Sequence, residues 1–258
     1  MNGLTALAQN PWAIAIALNA GLLAIVRVLP KQLLTLAGIV HAWILGVLVW
    51  GTLGSSGYAI LAAYFILGSA VTRVGMARKE AAGIAEGRSG ARGPENVWGS
   101  ALTGALCAVG VGLVDGLHGD RAIASLLILG YAASFSTKLS DTVASEIGKA
   151  YGRRTFLVTT LKPVPPGTEG AVSLEGTLAG IVGSLAIAGV SWGVGAIDLW
   201  GVLWCAIAAF VATTVESAIG ATIQAKVTWM TNEVVNIINT TVGALVAIAL
   251  ALGHAALA

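Results

Sequence analysis

The sequence predicts an all-α fold: a polytopic transmembrane helical bundle of about eight helices with two longer cytoplasmic loops. Three observations predict it. The 258 residues are 57% hydrophobic and only 10% charged, and the mean hydropathy is +0.87, beyond what a water-soluble domain carries. Several runs of about 18 or more mostly apolar residues are each long enough to cross a hydrocarbon core of about 30 Å as a helix. When the spans are drawn, all of the 14 Lys and Arg residues except Arg121 fall into alternate connections, the segregation that the positive-inside rule describes for short loops.

In chain order the expected spans are 12–29, 33–53, 57–74, 97–114, 121–138, 174–194, 199–219 and 234–253. With the N-terminus outside, the inner connections hold Arg27 and Lys31, then Arg73 through Arg92, then Lys138 through Lys162, then Lys226. Arg121 stands on the other side beside Asp115 and Asp120. No Lys or Arg precedes the first apolar run, so that run is expected to stay as a helix rather than serve as a cleaved signal. The 34 glycines lie mostly inside apolar runs, as in GTLAGIVGSLAIAG (176–189), a spacing that lets helices approach closely in lipid. Cys107 and Cys205 sit in separate apolar runs, where lipid-facing or packing roles are expected and no disulfide framework is supported. His41, His118 and His254 are far apart in this topology, which disfavours a His-based metal site or catalytic triad.

Three helices start alike, with small and polar residues where a plain anchor would carry Leu: ENVWGSALTGA (95–105), VSLEGTLAG (172–180) and NIINTTVGA (236–244). DTVASEIG (141–148) and TTVESAIG (213–220) likewise resemble each other where two helices return to the inner face, the trace of an old duplication. Helix starts of this kind present free backbone N–H groups with little bulk in the way, which favours an anion. The same small residues also serve close packing.

The densest charge in the chain is STKLSDTVASEIGKAYGRRT (136–155). An acid at the membrane boundary, such as Asp141, is costly unless paired, hydrated or bound to a cation. Pairing with Lys138 or Lys149 is the alternative to function. Glu146 lies about 140° from Asp141 around a helix. Glu169, Glu175, Glu216, Asn232, Glu233, Asn236 and Asn239 add oxygen ligands at the same depth, a set that suits magnesium rather than zinc or copper. Lys149, Arg153, Arg154 and Lys162 suit a phosphate-rich ligand, with anchoring to anionic lipid as the alternative. The loop 75–96, of mixed sign, is placed to close over a polyphosphate. No GxxxxGK[ST] pattern is present, so a soluble ATP-binding fold is not indicated.

The blocks RGPENVWGS (92–100), SDTVASEIGKAYGRRTFLVTTLKPVPPGTEGAVSLEGTLAG (140–180) and TNEVVNIINTTVGA (231–244) resemble the signature blocks of the integral membrane family that includes phytyl-phosphate kinase and is related to polyprenol kinases and CDP-lipid synthases. The likeness runs from about Leu67 to Leu252; residues 1–66, the N-terminal helices, are less distinctive, and the whole chain reads as one transmembrane catalytic domain. The resemblance implies a magnesium-dependent transfer of phosphate from CTP to an isoprenyl monophosphate, giving the diphosphate used in prenyl-lipid synthesis such as that of tocopherol. It implies Asp141 and Glu146 at the metal, with Lys149 completing the catalytic set. Arg153 and Arg154 would hold phosphates, and Asn96, Lys162, Glu169, Glu175, Asn232 and Asn236 are nucleotide- or phosphate-binding candidates.

An acceptor phosphomonoester is already anionic, so such a transfer needs positioning and charge stabilisation rather than a strong base. The prenyl chain would lie between helices with its phosphate at the cytoplasmic boundary. A cytidylyltransferase would use the same constellation, and a prenol kinase would need Asp141 or Glu146 as base. A transporter is disfavoured because the acids gather at one face. A bacterial inner membrane is expected over a plastid envelope.

Overall fold

The computed structural model describes residues 10–28, 32–85 and 87–257; Lys31, the end of the first expected span at Leu29 and the Arg88 side chain lie outside the description. Seven helices among the described residues are long and apolar enough to cross a membrane. These are α1 (Pro11–Val28), α2 (Leu36–Thr72), α4 (Pro94–Gly116), α5 (Arg121–Tyr151), α6 (Leu174–Gly193), α7 (Leu199–Thr222) and α8 (Asn232–Leu257). A short helix α3 (Met76–Ala81) and a two-stranded ribbon, β1 (Phe156–Leu157) against β2 (Ala171–Val172), belong to the connections.

The 37-residue α2 would be about 55 Å long if straight. It is not straight. Gly54 has φ 64° and ψ −154°, a conformation close to glycine-only, and the chain turns back on itself there. Arg73 Nη2, past the end of the second arm, lies 3.5 Å from the carbonyl oxygen of Gln32, before the start of the first. The two arms correspond to the expected spans 33–53 and 57–74, so the seven helices make eight passes.

Helix α5 is the axis of the bundle, packing against α2, α4, α6, α7 and α8. Every residue from Leu129 to Ser140 is buried, and the local sequence LGYAASFSTKLS fits that placement because small and hydroxyl-bearing side chains let helices approach from all sides. Thr103 Oγ1, on α4, meets the hydroxyls of Thr240 and Thr241 on α8 at 2.9 Å each. Cys107 and Cys205 are buried packing residues. Of the histidines, His41 accepts a hydrogen bond from Trp98 Nε1 at 2.8 Å and His254 packs on Trp200.

The two ends of the bundle differ chemically. At one end Asp120 caps α5 by accepting from the Ala122 N–H at 2.8 Å, and Asp198 caps α7 through the Gly201 N–H at 2.7 Å; both stabilise otherwise unpaired helix-start donors. The connections rich in Lys and Arg gather at the opposite end. There Ile84 from the first long connection packs on Gly167 from the second. Gly170 has φ 74°, and a Cβ on it would lie 2.4 Å from the Ser217 carbonyl oxygen and the Ala221 nitrogen, so this loop presses on α7 only because the residue is glycine.

The expected end of the fifth span at residue 138 is corrected. Helix α5 continues to Tyr151, because the charged residues beyond Ser136 find partners within the protein and do not interrupt the helix.

Candidate active site

Where the Lys- and Arg-rich connections gather, a cavity of about 430 Å³ opens between the helix ends. One wall is the face of α5 bearing Asp141, Ser145 and Lys149, and another is the face of α7 bearing Thr213, Glu216 and Gly220. The two similar segments DTVASEIG and TTVESAIG therefore line the same space. The three similar helix starts converge on it too. Asn96 and Ser100 come from α4, Ser173 and Gly176 from α6, and Asn232 and Asn236 from α8. The last pair, four residues apart, shares one helical face.

Local interactions fix these starts. The Gly93 N–H donates to Asn96 Oδ1 at 3.0 Å, and Ser173 Oγ accepts from the Gly176 N–H at 3.1 Å. Each start also leaves backbone N–H groups without an intrahelical acceptor, so positive partial charge is directed at the cavity from three sides.

The floor is a charged network. Lys138 Nζ donates to Asp141 Oδ2 at 2.5 Å and to Asn236 Oδ1 at 2.7 Å, tying α5 to α8. Glu216 lies beside Asp141, and its Oε2 accepts from Asn239 Nδ2 at 2.5 Å. Ser145 Oγ donates to Asp141 Oδ1 at 3.4 Å. Two neighbouring carboxylates with one ammonium between helices form a compact set of hard oxygen donors.

Glu146 is arranged differently from expectation. Its separation around α5 turns it away from Asp141 to the Lys79 ammonium, which it pairs with directly and which also donates to the Thr72 carbonyl at 2.7 Å. Lys79 is 0% and Glu146 4% exposed, so this is a buried ion pair that docks α3 on the end of α5. The other Glu146 oxygen is 4.0 Å from Lys149. Glu146 still lines the cavity, but the acidic neighbour of Asp141 is Glu216.

Of the remaining candidates, Lys149, Asn96, Glu169, Asn232 and Asn236 line the cavity. Arg153, Arg154, Lys162 and Glu175 do not. Helix α5 ends at Tyr151 and Gly152 is extended, which carries Arg153 and Arg154 out to an exposed position, while Lys162 sits exposed in the turn of the β1–β2 ribbon. Basic side chains so placed suit the lipid-surface alternative. Glu175 occupies the first turn of α6, where an acid favours the helix start.

Lys79, Lys138, Arg92 and Tyr64 were not assigned to the site by sequence. Lys138 was foreseen only as a partner for Asp141. Lys79 and Glu146 are 67 residues apart, and nothing local to MARKEA signals that its lysine is buried.

Among the described residues no three His, Cys, Asp or Glu side chains group as a cage. Asp141 and Glu216 with nearby amide oxygens nonetheless fit magnesium, which takes one or two carboxylates and leaves the rest of its shell to water and substrate phosphates.

Comparison with known proteins places these features in a family. The chain is 60% identical over 238 residues to an uncharacterized membrane protein of Synechocystis sp., covering 92% of this chain and 90% of the relative. It is 46% identical over 243 residues to Protein VTE6, chloroplastic, of Arabidopsis thaliana, covering 93% and 72%. An uncharacterized membrane protein of Methanocaldococcus jannaschii is 30% identical over 215 residues, covering 82% and 83%. No solved structure matches. With its residues 19–244 matching the family model, and in keeping with the resemblance of its sequence blocks, the chain belongs to the integral membrane protein family DUF92.

Proposed function

We propose that this protein transfers a phosphoryl group from CTP to an isoprenyl monophosphate such as phytyl phosphate, at the cytoplasmic end of its bundle, with the N-terminus on the outer side of a bacterial inner membrane. The observation that carries the proposal is the composition of one cavity: adjacent carboxylates Asp141 and Glu216, the ammonium groups of Lys138 and Lys149, and three convergent helix starts. That cavity opens at the end of helices whose outer faces carry large apolar side chains such as Ile66, Leu106 and Leu178. A phosphate held there can keep its apolar chain in the bilayer. The resemblance of the sequence blocks supports the substrate class and the choice of CTP.

Asp141 and Glu216 would hold magnesium, which when bound offsets phosphate charge and orients the donor's terminal group. The chain's own residues do the remaining work. Lys138 keeps the Asp141 side chain in one orientation and joins α5 to α8. Lys149 and the N–H groups at the starts of α4, α6 and α8 hold the phosphate oxygens and stabilise the charge that spreads over the transferred group. The acceptor is an anionic phosphate oxygen, so no residue has to remove a proton. A prenol kinase would need a base, and with Glu146 paired to Lys79 the neighbouring carboxylates Asp141 and Glu216 are the candidates for that role.

The test is product identification after incubating the purified protein in detergent with magnesium, CTP and phytyl phosphate, with phytol in a parallel reaction. CDP and phytyl diphosphate formed from the monophosphate are the expected products. Release of inorganic diphosphate with a CDP-lipid would move the chemistry to cytidylyl transfer, and turnover of phytol alone would make the protein a prenol kinase.

A further inference from the structure

We infer that Arg92 binds the phosphate of the membrane-borne acceptor, at a subsite separate from the one that holds the nucleotide. The inference rests on the proposed reaction for the identity of the lipid, but its binding chemistry stands on the geometry alone.

Arg92 lies two residues before α4, at the level where the chain enters the membrane region. A long cationic side chain in that position ordinarily extends outward to water. This one extends inward. Its Nη1 donates to the Tyr64 hydroxyl at 3.0 Å, and its guanidinium lies over the rings of Tyr64 and Phe65, 5.3 and 6.0 Å from their centroids. A Cβ on Gly68 would lie 2.8 Å from Nη2, so the glycine leaves the room the side chain uses. Gly68 and Tyr64 are four and eight residues before the end of α2 at Thr72, about 6 and 12 Å below it along the helix.

The main chain fixes the residue as firmly. The Arg92 N–H donates to the Leu33 carbonyl and its own carbonyl accepts from the Thr35 N–H, both at 3.0 Å. The guanidinium is half-buried, lines the cavity, and forms no ion pair with any carboxylate among the described residues. Lys138 differs in that Asp141 neutralises it, and Lys149 in that Glu146 stands 4.0 Å away. A positioned, partly desolvated guanidinium without a counter-ion is a site for an anion, and its planar fork matches a phosphate monoester.

Two phosphate sources could meet it, the acceptor lipid and the nucleotide. Depth favours the lipid. Arg92 faces the arm of α2 whose neighbouring Ile66 is 64% exposed on the bundle's outer surface. Lys149, Thr168 and Glu169 line the same cavity from the end of α5 and from the second long connection, polar positions to which the nucleotide is assigned. In-line transfer between two phosphates requires them on opposing sides of one space.

The experiment measures equilibrium binding in detergent micelles of geranylgeranyl monophosphate, geranylgeraniol and magnesium-CTP to the wild-type protein and to R92Q, R92K and Y64F. For R92Q the lipid monophosphate is expected to bind about 30-fold more weakly, the loss of a charge-assisted, forked contact. The alcohol and CTP should stay within about twofold, and Y64F should lose a few-fold for the lipid phosphate only. If R92Q does not fold, R92K decides: it keeps the charge but not the fork or the stacking, and about a tenfold loss confined to the lipid monophosphate is expected. An equal loss for CTP, or no change in lipid-phosphate affinity, would overturn the inference. Arg92-dependent binding of the lipid monophosphate without turnover from any nucleotide would leave the inference standing and remove the kinase reading instead.

Discussion

Breaking the buried pair between Lys79 and Glu146 should loosen the first long connection, and the two single substitutions should not cost the same. In Glu146→Leu the Lys79 ammonium keeps only the Thr72 carbonyl as partner, and an uncompensated buried charge costs about 3–5 kcal/mol. In Lys79→Met the remaining carboxylate still has Lys149 at 4.0 Å. Unscreened by solvent, a pair at that distance is worth about 4 kcal/mol at an effective dielectric of 20. Lys149 is 28% exposed, so about 1–2 kcal/mol of relief is a sounder figure, and Lys79→Met should cost about 2–3 kcal/mol. The double substitution replaces the pair by apolar groups and should recover most of either loss. The readout is hydrogen exchange of the Ala82 and Ile84 amides, which are bonded to Arg78 and Lys79 carbonyls when α3 is formed and docked. Exchange should accelerate by at least about 100-fold in Glu146→Leu and by a smaller factor in Lys79→Met. A larger effect for Lys79→Met, or less than about tenfold in both, would refute the account of the latch.

Two other expectations concern packing and topology. A Cβ at Gly243 would lie 2.1 Å from Thr137 Oγ1, so Gly243→Ala should destabilise the α5–α8 contact by about 1–3 kcal/mol, whereas Gly189→Ala, with open space around it, should leave the melting temperature in detergent unchanged. Single cysteines at Ala85 and Thr160 should react with an impermeant thiol reagent from the same side of the membrane and one at His118 from the other; labelling of Ala85 and Thr160 from opposite sides would dismantle the shared cavity.

The helical passes were legible because apolar length and charge segregation are physical requirements of a bilayer, and both are written locally. The hairpin in α2 is an instance: Gly54 falls in the gap between the expected spans 33–53 and 57–74, though sequence alone did not identify the residue that turns the chain. The continuation of α5 past Lys138 was not legible as a span, since Lys138 is tolerated in the interior only because Asp141 and Asn236, one of them 98 residues away, accept its hydrogen bonds. The same cause governs the site. Asp141, Lys149, Asn232 and Asn236 were readable because charge or amide in an oily chain calls for a reason. The resemblance implied Glu146 at the metal and Arg153 and Arg154 on phosphates; Glu146 does line the cavity, but helix phase pairs it with Lys79, and the extended Gly152 directs the arginines to the surface. Arg92 opens the block RGPENVWGS, but its inward course was not legible, because it depends on Tyr64 and Gly68 from a different helix.

The central claim, that phosphoryl transfer takes place between Asp141 and the convergent helix starts, is tested most directly by one measurement. Purified wild-type and Asp141→Asn proteins, matched for melting temperature, are given magnesium, phytyl phosphate and CTP labelled on its terminal phosphate, and label in the lipid is counted. The wild-type protein is predicted to label the lipid, and the variant to do so at a rate lower by at least about 100-fold, the loss typical of removing a charge-stabilising group from a reaction centre. A folded variant that labels the lipid as fast as the wild-type protein would contradict the account.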